Sequence, residues 1–392
     1  MVSIKKVTIM FFCKCLIISF LSVPFIAVAK DVTVVPSITL RGEYDDNVYF
    51  TRTDEISDYL AIISPALTLD YASELLNLEA NGIVDVLRYV DETDINTENQ
   101  RYTINGGYRL MERWALSGNF SYIKDTTLDS ELEETGIVYM REDRERFNAG
   151  AGLSYQVSEL SDMGVNYAYS KTDYDERWLE DYDFNSINFS YNRKFNDGLD
   201  VLTVEPRYTR LISENNDSHG YRLMLGWTHR PSETYQFRVL LGPRYTVQKF
   251  EDTGETTSNW GVVGDINLQK TAEIYSILVG FASDVFNRPS TDTLNQVFRL
   301  YTRLSRRITE RFRAQVYSRI SMTRPDYEDV SNEEDIYYFV VTPSLNYYFT
   351  ENHYLSLSYS YQQQYDRNIE DDPRIARNRV WLSVNFNFPK KW

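Results

Sequence analysis

Eight arginines occupy the polar positions of alternating polar–apolar segments in the second half of the chain. They are Arg222, Arg238, Arg244, Arg299, Arg303, Arg307, Arg313 and Arg319. A guanidinium group is always charged and can bind a carboxylate through two parallel N–H donors. A strip of such groups along an aqueous passage would select permeants by the sign of their charge. The alternative is structural, with the arginine side chains filling an interior and pairing with acids.

A smaller acidic set has the same alternating spacing near the start of the chain. Its members are Glu43, Asp70, Glu79 and Asp85, with Arg41 on the same predicted face. We expect this set to form a largely acidic wall opposite the arginines.

Other reactive chemistry is sparse. The histidines, His219, His229 and His353, have no second histidine or cysteine at the spacing of a zinc site, so we predict neither a metal nor a cofactor. Three residues that occur in catalytic triads, Asp217, Ser218 and His219, follow one another in the sequence. Adjacency in a loop does not give the geometry of a triad, so we predict no enzyme. Asp45-Asp46-Asn47 has ligands suited to calcium, although a solvated turn is the simpler interpretation.

The segments that carry these residues predict β-strands. In residues 353–362, leucines and tyrosines alternate with serines and a glutamine, a period of two that gives a strand two different faces. These segments exceed the about 9–11 residues that a strand needs to cross a bilayer. We predict an all-β protein, a transmembrane antiparallel up-and-down barrel of about 18 strands, with 16 as the alternative.

The breaks between strands form two alternating sets, one of tight turns and one of longer acidic loops that includes residues 213–218. This asymmetry predicts short turns and both chain termini in the periplasm of a Gram-negative cell, with the longer loops outside. The longest break, residues 127–143, lies where many general porins fold a loop into the lumen. We hypothesise that it narrows the pore through the acids Asp129, Glu131, Glu133 and Glu134. The alternative is a loop that caps the barrel from outside.

Both ends of the chain carry targeting features. Residues 1–29 have the basic start, apolar centre and Ala-Val-Ala site of a cleaved signal peptide, which leaves residues 30–392 as the barrel. Cleavage would remove Cys13 and Cys15, the two cysteines of the chain, and would leave a net charge near −19 instead of −16. That charge argues against nucleic acid as a partner.

The aromatic end of the last strand, with Phe386, Phe388 and Trp392, resembles the signal that the barrel assembly machinery recognises. We therefore expect this machinery and the lipid of the cell outer membrane as partners.

Residues 36–71 contain two distinctive segments, Glu43-Tyr44-Asp45-Asp46-Asn47 and Ile63-Ser64-Pro65-Ala66-Leu67. Together they resemble the opening of the putative β-barrel porin 2 family. Such proteins are often encoded in capsule or exopolysaccharide gene clusters. The resemblance implies an outer-membrane channel, a passive conduit linked to exopolysaccharide export or surface assembly. The alternatives are a general diffusion porin for small solutes and a non-conducting barrel that scaffolds surface components.

Overall fold

The computed structural model describes residues 31–138, 140–175, 179–251, 253–288, 293–326, 335–367, 369 and 373–392. Within this part of the chain, 18 long strands form one closed antiparallel sheet, so the prediction of an 18-stranded barrel is confirmed. The predicted signal peptide, residues 1–29, lies outside the described residues.

The strands follow one another around the barrel in chain order. They are β1 (Asp31–Asp45), β2 (Asp58–Ala72), β3 (Leu76–Tyr89), β4 (Thr97–Met111), β5 (Trp114–Thr126), β6 (Asp143–Ser158), β7 (Ser161–Tyr174), β8 (Tyr182–Phe195), β9 (Asp200–Ser213), β10 (Asn216–Ser232), β11 (Tyr235–Phe250), β12 (Thr256–Thr271), β13 (Tyr275–Arg288), β14 (Thr293–Arg307), β15 (Phe312–Pro325), β16 (Ile336–Tyr348), β17 (His353–Asp366) and β18 (Arg374–Asn387).

The barrel closes where β1 pairs with β18, from Ser37 opposite Asn387 to Asp45 opposite Arg379. Lys390–Lys391 extend this seam by pairing with Thr33 and Val34. Closure leaves the sheet without an edge, so every strand pairs with a neighbour on each side. The pairing of β12 with β13 is the shortest and runs from Gly264 opposite Ser283 to Thr271 opposite Ser276.

The two faces of each strand are inverted relative to a soluble protein. On β17, Leu357 is 50% exposed on the outside, whereas Ser358 and Ser360 are 5% and 3% exposed on the inside. An apolar exterior and a polar interior are expected where lipid surrounds the barrel.

The two ends of the barrel differ. One end, here the turn end, has short connections such as the 3₁₀ turn Asn196–Gly198, in which Asp197 and Gly198 adopt positive φ. The other end, here the loop end, has longer connections, including 46–57 and 127–142. The prediction of a longer loop at 213–218 is wrong: β9 and β10 extend until only residues 214 and 215 connect them.

A single α-helix among the described residues, α1 (Thr127–Thr135), follows β5 at the loop end. Asp129 Oδ2 accepts a hydrogen bond from Thr126 Oγ1 at 2.8 Å, which caps the first turn. The helix ends at Gly136, whose φ of 78° is the left-handed conformation that favours glycine. No helix of the described chain is long and apolar enough to cross a bilayer.

Candidate functional site

The barrel interior is the candidate site, and the structure places all eight arginines of the predicted strip on its inner face. Arg222 lies opposite Arg244 on β10 and β11, and Arg307 lies opposite Arg313 on β14 and β15. Their neighbours on each strand, such as Leu223 and Ile320, are exposed on the outer face. The strip therefore exists as a geometric feature, but its members have three different environments.

The first environment is an ion pair with a carboxylate. The Arg222 guanidinium lies 2.6 Å from Asp284 on β13. Arg244 is 1% exposed and donates two hydrogen bonds of 2.5 Å to Asp326, directly after β15. At the turn-end rim, Arg307 lies 3.3 Å from Glu273. These three arginines are neutralised by carboxylates, as the structural interpretation of the strip predicts.

The second environment is the C-terminal end of α1. Arg299 donates to the Glu134 carbonyl and Arg319 to the Leu132 carbonyl, each at 3.2 Å. Thr323 donates a hydrogen bond of 2.7 Å to the next free carbonyl, that of Thr135. The last carbonyls of a helix carry partial negative charge, and that of Leu132 also accepts a hydrogen bond from the Gly136 N–H. The arginines of β14 and β15 therefore hold α1 by its end.

Apolar contacts fix α1 along one side. Leu128 and Leu132, one turn apart, are 3% and 0% exposed and belong to a cluster with five other buried side chains. Those five are Phe50, Val138, Tyr338, Val340 and Ile375. Burying such side chains contributes about 1.5–3 kcal/mol each. The segment after β5 is thus packed on β16, β18 and the loop after β1, inside the barrel.

The acids of α1 face β6 and β7. Glu131 accepts a hydrogen bond of 3.0 Å from the Tyr174 hydroxyl and lies 3.7 Å from Arg144. Glu134 forms a 2.6 Å ion pair with Arg146. Burial raises the pKa of Glu131 to about 7, although Arg144 and the Tyr174 hydroxyl act in the opposite direction.

The two remaining acids of the predicted constriction set differ. Asp129 caps α1 and accepts a 2.8 Å hydrogen bond from Asn99 on β4. Glu133 is half-buried and forms no ion pair with any described residue. The four acids of the predicted constriction therefore lie on one helix. Three of them, Asp129, Glu131 and Glu134, form contacts that hold this helix in place. Tyr139, within the same segment, lies outside the described residues.

The predicted acidic wall is less acidic than expected at the loop end. Glu43 is ion-paired with Arg41 at 3.1 Å and also with Arg379 of β18. Asp85 lines a cavity of about 160 Å³ together with Arg41 and Asp129. Towards the turn end the wall does carry unneutralised charge, because Asp70 and Glu79 lie directly opposite each other on β2 and β3.

The third arginine environment lies in the turn half. Arg238, Arg303 and Arg313 are exposed to the interior and form no ion pair within the described chain. The Arg303 guanidinium lies over the Tyr317 ring at 6.0 Å, and that of Arg313 over the Tyr348 ring at 5.4 Å. These are cation–π distances. The sequence alone did not indicate a role for Tyr317 and Tyr348, although both occupy inward positions of alternating segments.

The Asp45-Asp46-Asn47 segment closes the seam and is not a solvated turn. Asp45, 0% exposed, accepts hydrogen bonds from Arg377 Nε at 2.9 and 3.0 Å. Asp46 accepts hydrogen bonds from the Asn378 backbone at 2.6 Å and from its side chain at 2.7 Å.

Asn47, also fully buried, completes this contact. Its side-chain amide donates to the Ala376 carbonyl of β18 at 3.0 Å and to the Thr51 carbonyl at 2.8 Å. Three consecutive side chains at the end of β1, Asp45 to Asn47, thus bind three consecutive residues of β18. Among the described residues, no group of histidine, cysteine and acidic side chains is arranged to hold a metal.

The histidines lie apart from one another and from any nucleophile. His219 contacts the Tyr208 hydroxyl at 2.8 Å on the outer face of β10, whereas Ser218 is 3% exposed on the inner face. Adjacent residues of a strand point in opposite directions, so Ser218 and His219 cannot form a nucleophile–base pair. His229 bonds Asp200 at 2.7 Å, and the His353 ring lies 5.5 Å from that of Phe386.

The aromatic residues of the C-terminus lie along the seam at the turn end. The Phe388 backbone donates to the Pro36 carbonyl at 2.9 Å, and Trp392 exchanges backbone hydrogen bonds with Val32. The side chains of Phe388 and Trp392 are 49% and 68% exposed.

Comparison with known proteins agrees with this architecture. The model of the family described as Putative beta-barrel porin 2 matches residues 31–188, which confirms the resemblance inferred from residues 36–71. No curated protein matches the chain by sequence.

Several solved outer-membrane proteins have a similar fold. OccK2 (OpdF) of Pseudomonas aeruginosa is 10% identical, with 91% of this chain and 98% of that chain covered and a TM-score of 0.50. OpdK of the same organism is 9% identical over 92% and 99% of the two chains, with a TM-score of 0.46. The siderophore receptor PirA from Pseudomonas aeruginosa is 10% identical, with 91% of this chain and 80% of that chain covered and a TM-score of 0.43. The closed 18-stranded sheet and the similarity to OccK2 together show that the chain has the fold of outer-membrane porins.

Proposed function

We propose that this protein is an outer-membrane channel through which small solutes diffuse passively, and that α1 narrows its interior. The observation that carries the proposal is the position of α1, which is bound to Asn99 of β4 through Asp129 at one end and held by Arg299 and Arg319 at the other. A nine-residue helix is about 13 Å long. A helix of this length fixed between two walls reduces the area open to a permeant.

Planar-bilayer recording tests this function. We expect the purified, folded barrel to insert and to give discrete conductance steps, with a reversal potential in a salt gradient that reports its preference for anions or cations. A barrel that folds, as judged by heat-dependent gel mobility, and never conducts would contradict the channel and would favour a non-conducting scaffold.

We propose that the turn end and both termini face the periplasm, because outer-membrane barrels have short periplasmic turns and longer outer loops. The chain offers a clean test, since its two cysteines lie within the predicted signal peptide. In intact cells, a membrane-impermeant maleimide should label Glu214→Cys at the loop end and should not label Glu112→Cys at the turn end. The reverse pattern would invert the orientation.

The exposed aromatic C-terminus supports recognition by the barrel assembly machinery, with outer-membrane lipid around the finished barrel. Replacement of Phe388 and Trp392 by alanine should reduce the amount of folded barrel in the outer membrane. Unchanged amounts would contradict this role.

The match of residues 31–188 to the porin 2 family supports a second proposal, a role in exopolysaccharide export or surface assembly. The amount of secreted polysaccharide in a strain that lacks this gene tests the proposed role in export. Reduced secretion, restored by the gene, is expected for an exporter, and unchanged secretion would leave the general diffusion channel.

A further inference from the structure

The turn half of the inner wall on β14–β17 combines arginine, tyrosine and hydroxyl side chains without acids. Four side chains define what we call the arginine–tyrosine track: Arg303, Arg313, Tyr317 and Tyr348. Arg303 lies directly opposite Tyr317 across β14 and β15. Arg303, Arg313 and Tyr348 lie on the turn-end side of Arg319, the arginine that binds α1. Tyr317 packs against the apolar cluster that contains Leu128 and Leu132 of α1.

Stacking changes what each guanidinium can bind. A ring beneath the guanidinium occupies one of its faces and restricts its orientation, while the N–H donors point outward in the plane. That edge is complementary to a carboxylate, which accepts two parallel hydrogen bonds. Neither Arg303 nor Arg313 has a carboxylate partner within the described chain. Their edges are therefore available to an anionic ligand.

Polar side chains with hydroxyl groups lie between the two arginines. Gln315 of β15 lies opposite Ser305 of β14 and Ser344 of β16. All three are half-buried on the inner face. Hydroxyl groups both donate and accept, so this surface can exchange hydrogen bonds with ligand hydroxyls.

The charge of the two walls favours an anion at this place. The strands β14–β17 contain one acid, Asp366, and it is the last residue of β17 at the loop end. Across the barrel, Asp70 and Glu79 face each other on β2 and β3. A carboxylate in the turn half would be attracted to the track and repelled by the opposite wall.

We infer that the arginine–tyrosine track is a binding site for small carboxylates that carry several hydroxyl groups, that is, for sugar acids. The inference rests on the proposed channel function for its biological role, because the site lies within the passage. Because Arg303 and Arg313 are four register positions apart, about 13 Å, each can bind the carboxylate of one ligand. The polar side chains between them bind the hydroxyls.

Single-channel recording with matched probes tests the site. The probes are galacturonate, its neutral counterpart galactose, and acetate, which has the carboxylate without the hydroxyls. The variants are R303Q/R313Q, Y348L and, as a matched control, R238Q, which removes an unpaired arginine from β11. Heat-dependent gel mobility identifies variants that fold.

We expect galacturonate to interrupt the current at lower concentration than galactose or acetate. R303Q/R313Q should raise the half-blocking concentration of galacturonate about tenfold or more, because it removes the charge-assisted hydrogen bonds to the carboxylate. Y348L should raise it less, and R238Q should leave it within about twofold. Equal block by galactose, or an unchanged double variant, would overturn the inference.

A second measurement separates this inference from the channel proposal. A barrel that conducts without block by galacturonate retains the channel function and loses the site. For a barrel that does not conduct, calorimetry of galacturonate with the detergent-folded protein decides the site independently. Binding abolished by R303Q/R313Q supports the track, and absence of binding to the original protein overturns it.

Discussion

At the residue scale, identical arginine side chains act differently because their neighbours differ. Arg244 is buried against Asp326, Arg319 binds a helix carbonyl, and Arg303 rests on Tyr317 with its edge free. The alternation of residues predicted that all three face inward. It could not predict their partners, because these lie far along the chain, as Arg244 and Asp326 do.

The ionisation of Glu131 should make the position of α1 depend on pH. Burial raises the pKa of Glu131 to about 7 from an ordinary value of 4.5, so the docked helix retains a proton that a released helix would lose. Docking is therefore strongest below pH 4.5 and weakens as the pH rises towards 7. We expect more frequent excursions to higher conductance at pH 8 than at pH 5.

Substitution provides the control for this pH effect. Glu131→Gln keeps the neutral form at every pH and should flatten the dependence. Glu145 is an exposed acid that pairs with Lys124, and Glu145→Gln should leave the pH dependence of the conductance unchanged. A pH dependence that survives in Glu131→Gln would show that another group is responsible.

Gly136 should be sensitive to a single methyl group. Its φ of 78° disfavours other residues, and an added Cβ would lie 2.6 Å from Ser321 Oγ and 3.1 Å from Tyr338 Cβ. We expect Gly136→Ala to weaken the docking of α1 by about 1–2 kcal/mol, seen as noisier channel currents. Gly254→Ala also has positive φ but no neighbour within 4 Å, and it should leave the noise unchanged.

At the element scale, the strands could be predicted from the sequence far better than the helix α1 could. Polar–apolar alternation located β17 and the tight turns because each strand separates two environments along its whole length. The helix α1 was missed, although Thr126, Asp129 and Gly136 carry the signals of its start and end. Its nine residues are too few for a clear periodicity, and its stability depends on contacts with β14, β15 and β16.

The contact between the end of β1 and β18 should determine how firmly the barrel is closed. Asp45→Asn would leave the Arg377 guanidinium, which is 3% exposed, without its carboxylate. Removing one member of a buried ion pair costs about 3–5 kcal/mol. We expect the temperature at which the folded band disappears on a gel to fall markedly.

A nearby exposed acid serves as the control for the seam. Glu55→Gln lies in the same loop and makes no ion pair with a described residue, so it should leave that temperature unchanged. If Asp45→Asn is as heat-resistant as the original protein, the seam contact does not stabilise closure.

At the scale of the whole molecule, the barrel interior has two structurally different halves. The loop half contains α1 and the loop after β1, whose Val48 packs on Leu60 and Ile62. The turn half keeps arginines accessible on one wall and Asp70 and Glu79 on the other. The sequence predicted both walls, but the filling of the loop half follows from contacts between residues hundreds of positions apart.

The most direct test of the central claim is the single-channel conductance of a variant that lacks residues 129–140. This deletion removes most of α1 and its contacts with Arg299 and Arg319 while leaving β5 and β6 intact. If α1 narrows the passage, the folded variant should conduct severalfold more current than the original protein. A folded variant with unchanged conductance would contradict the account.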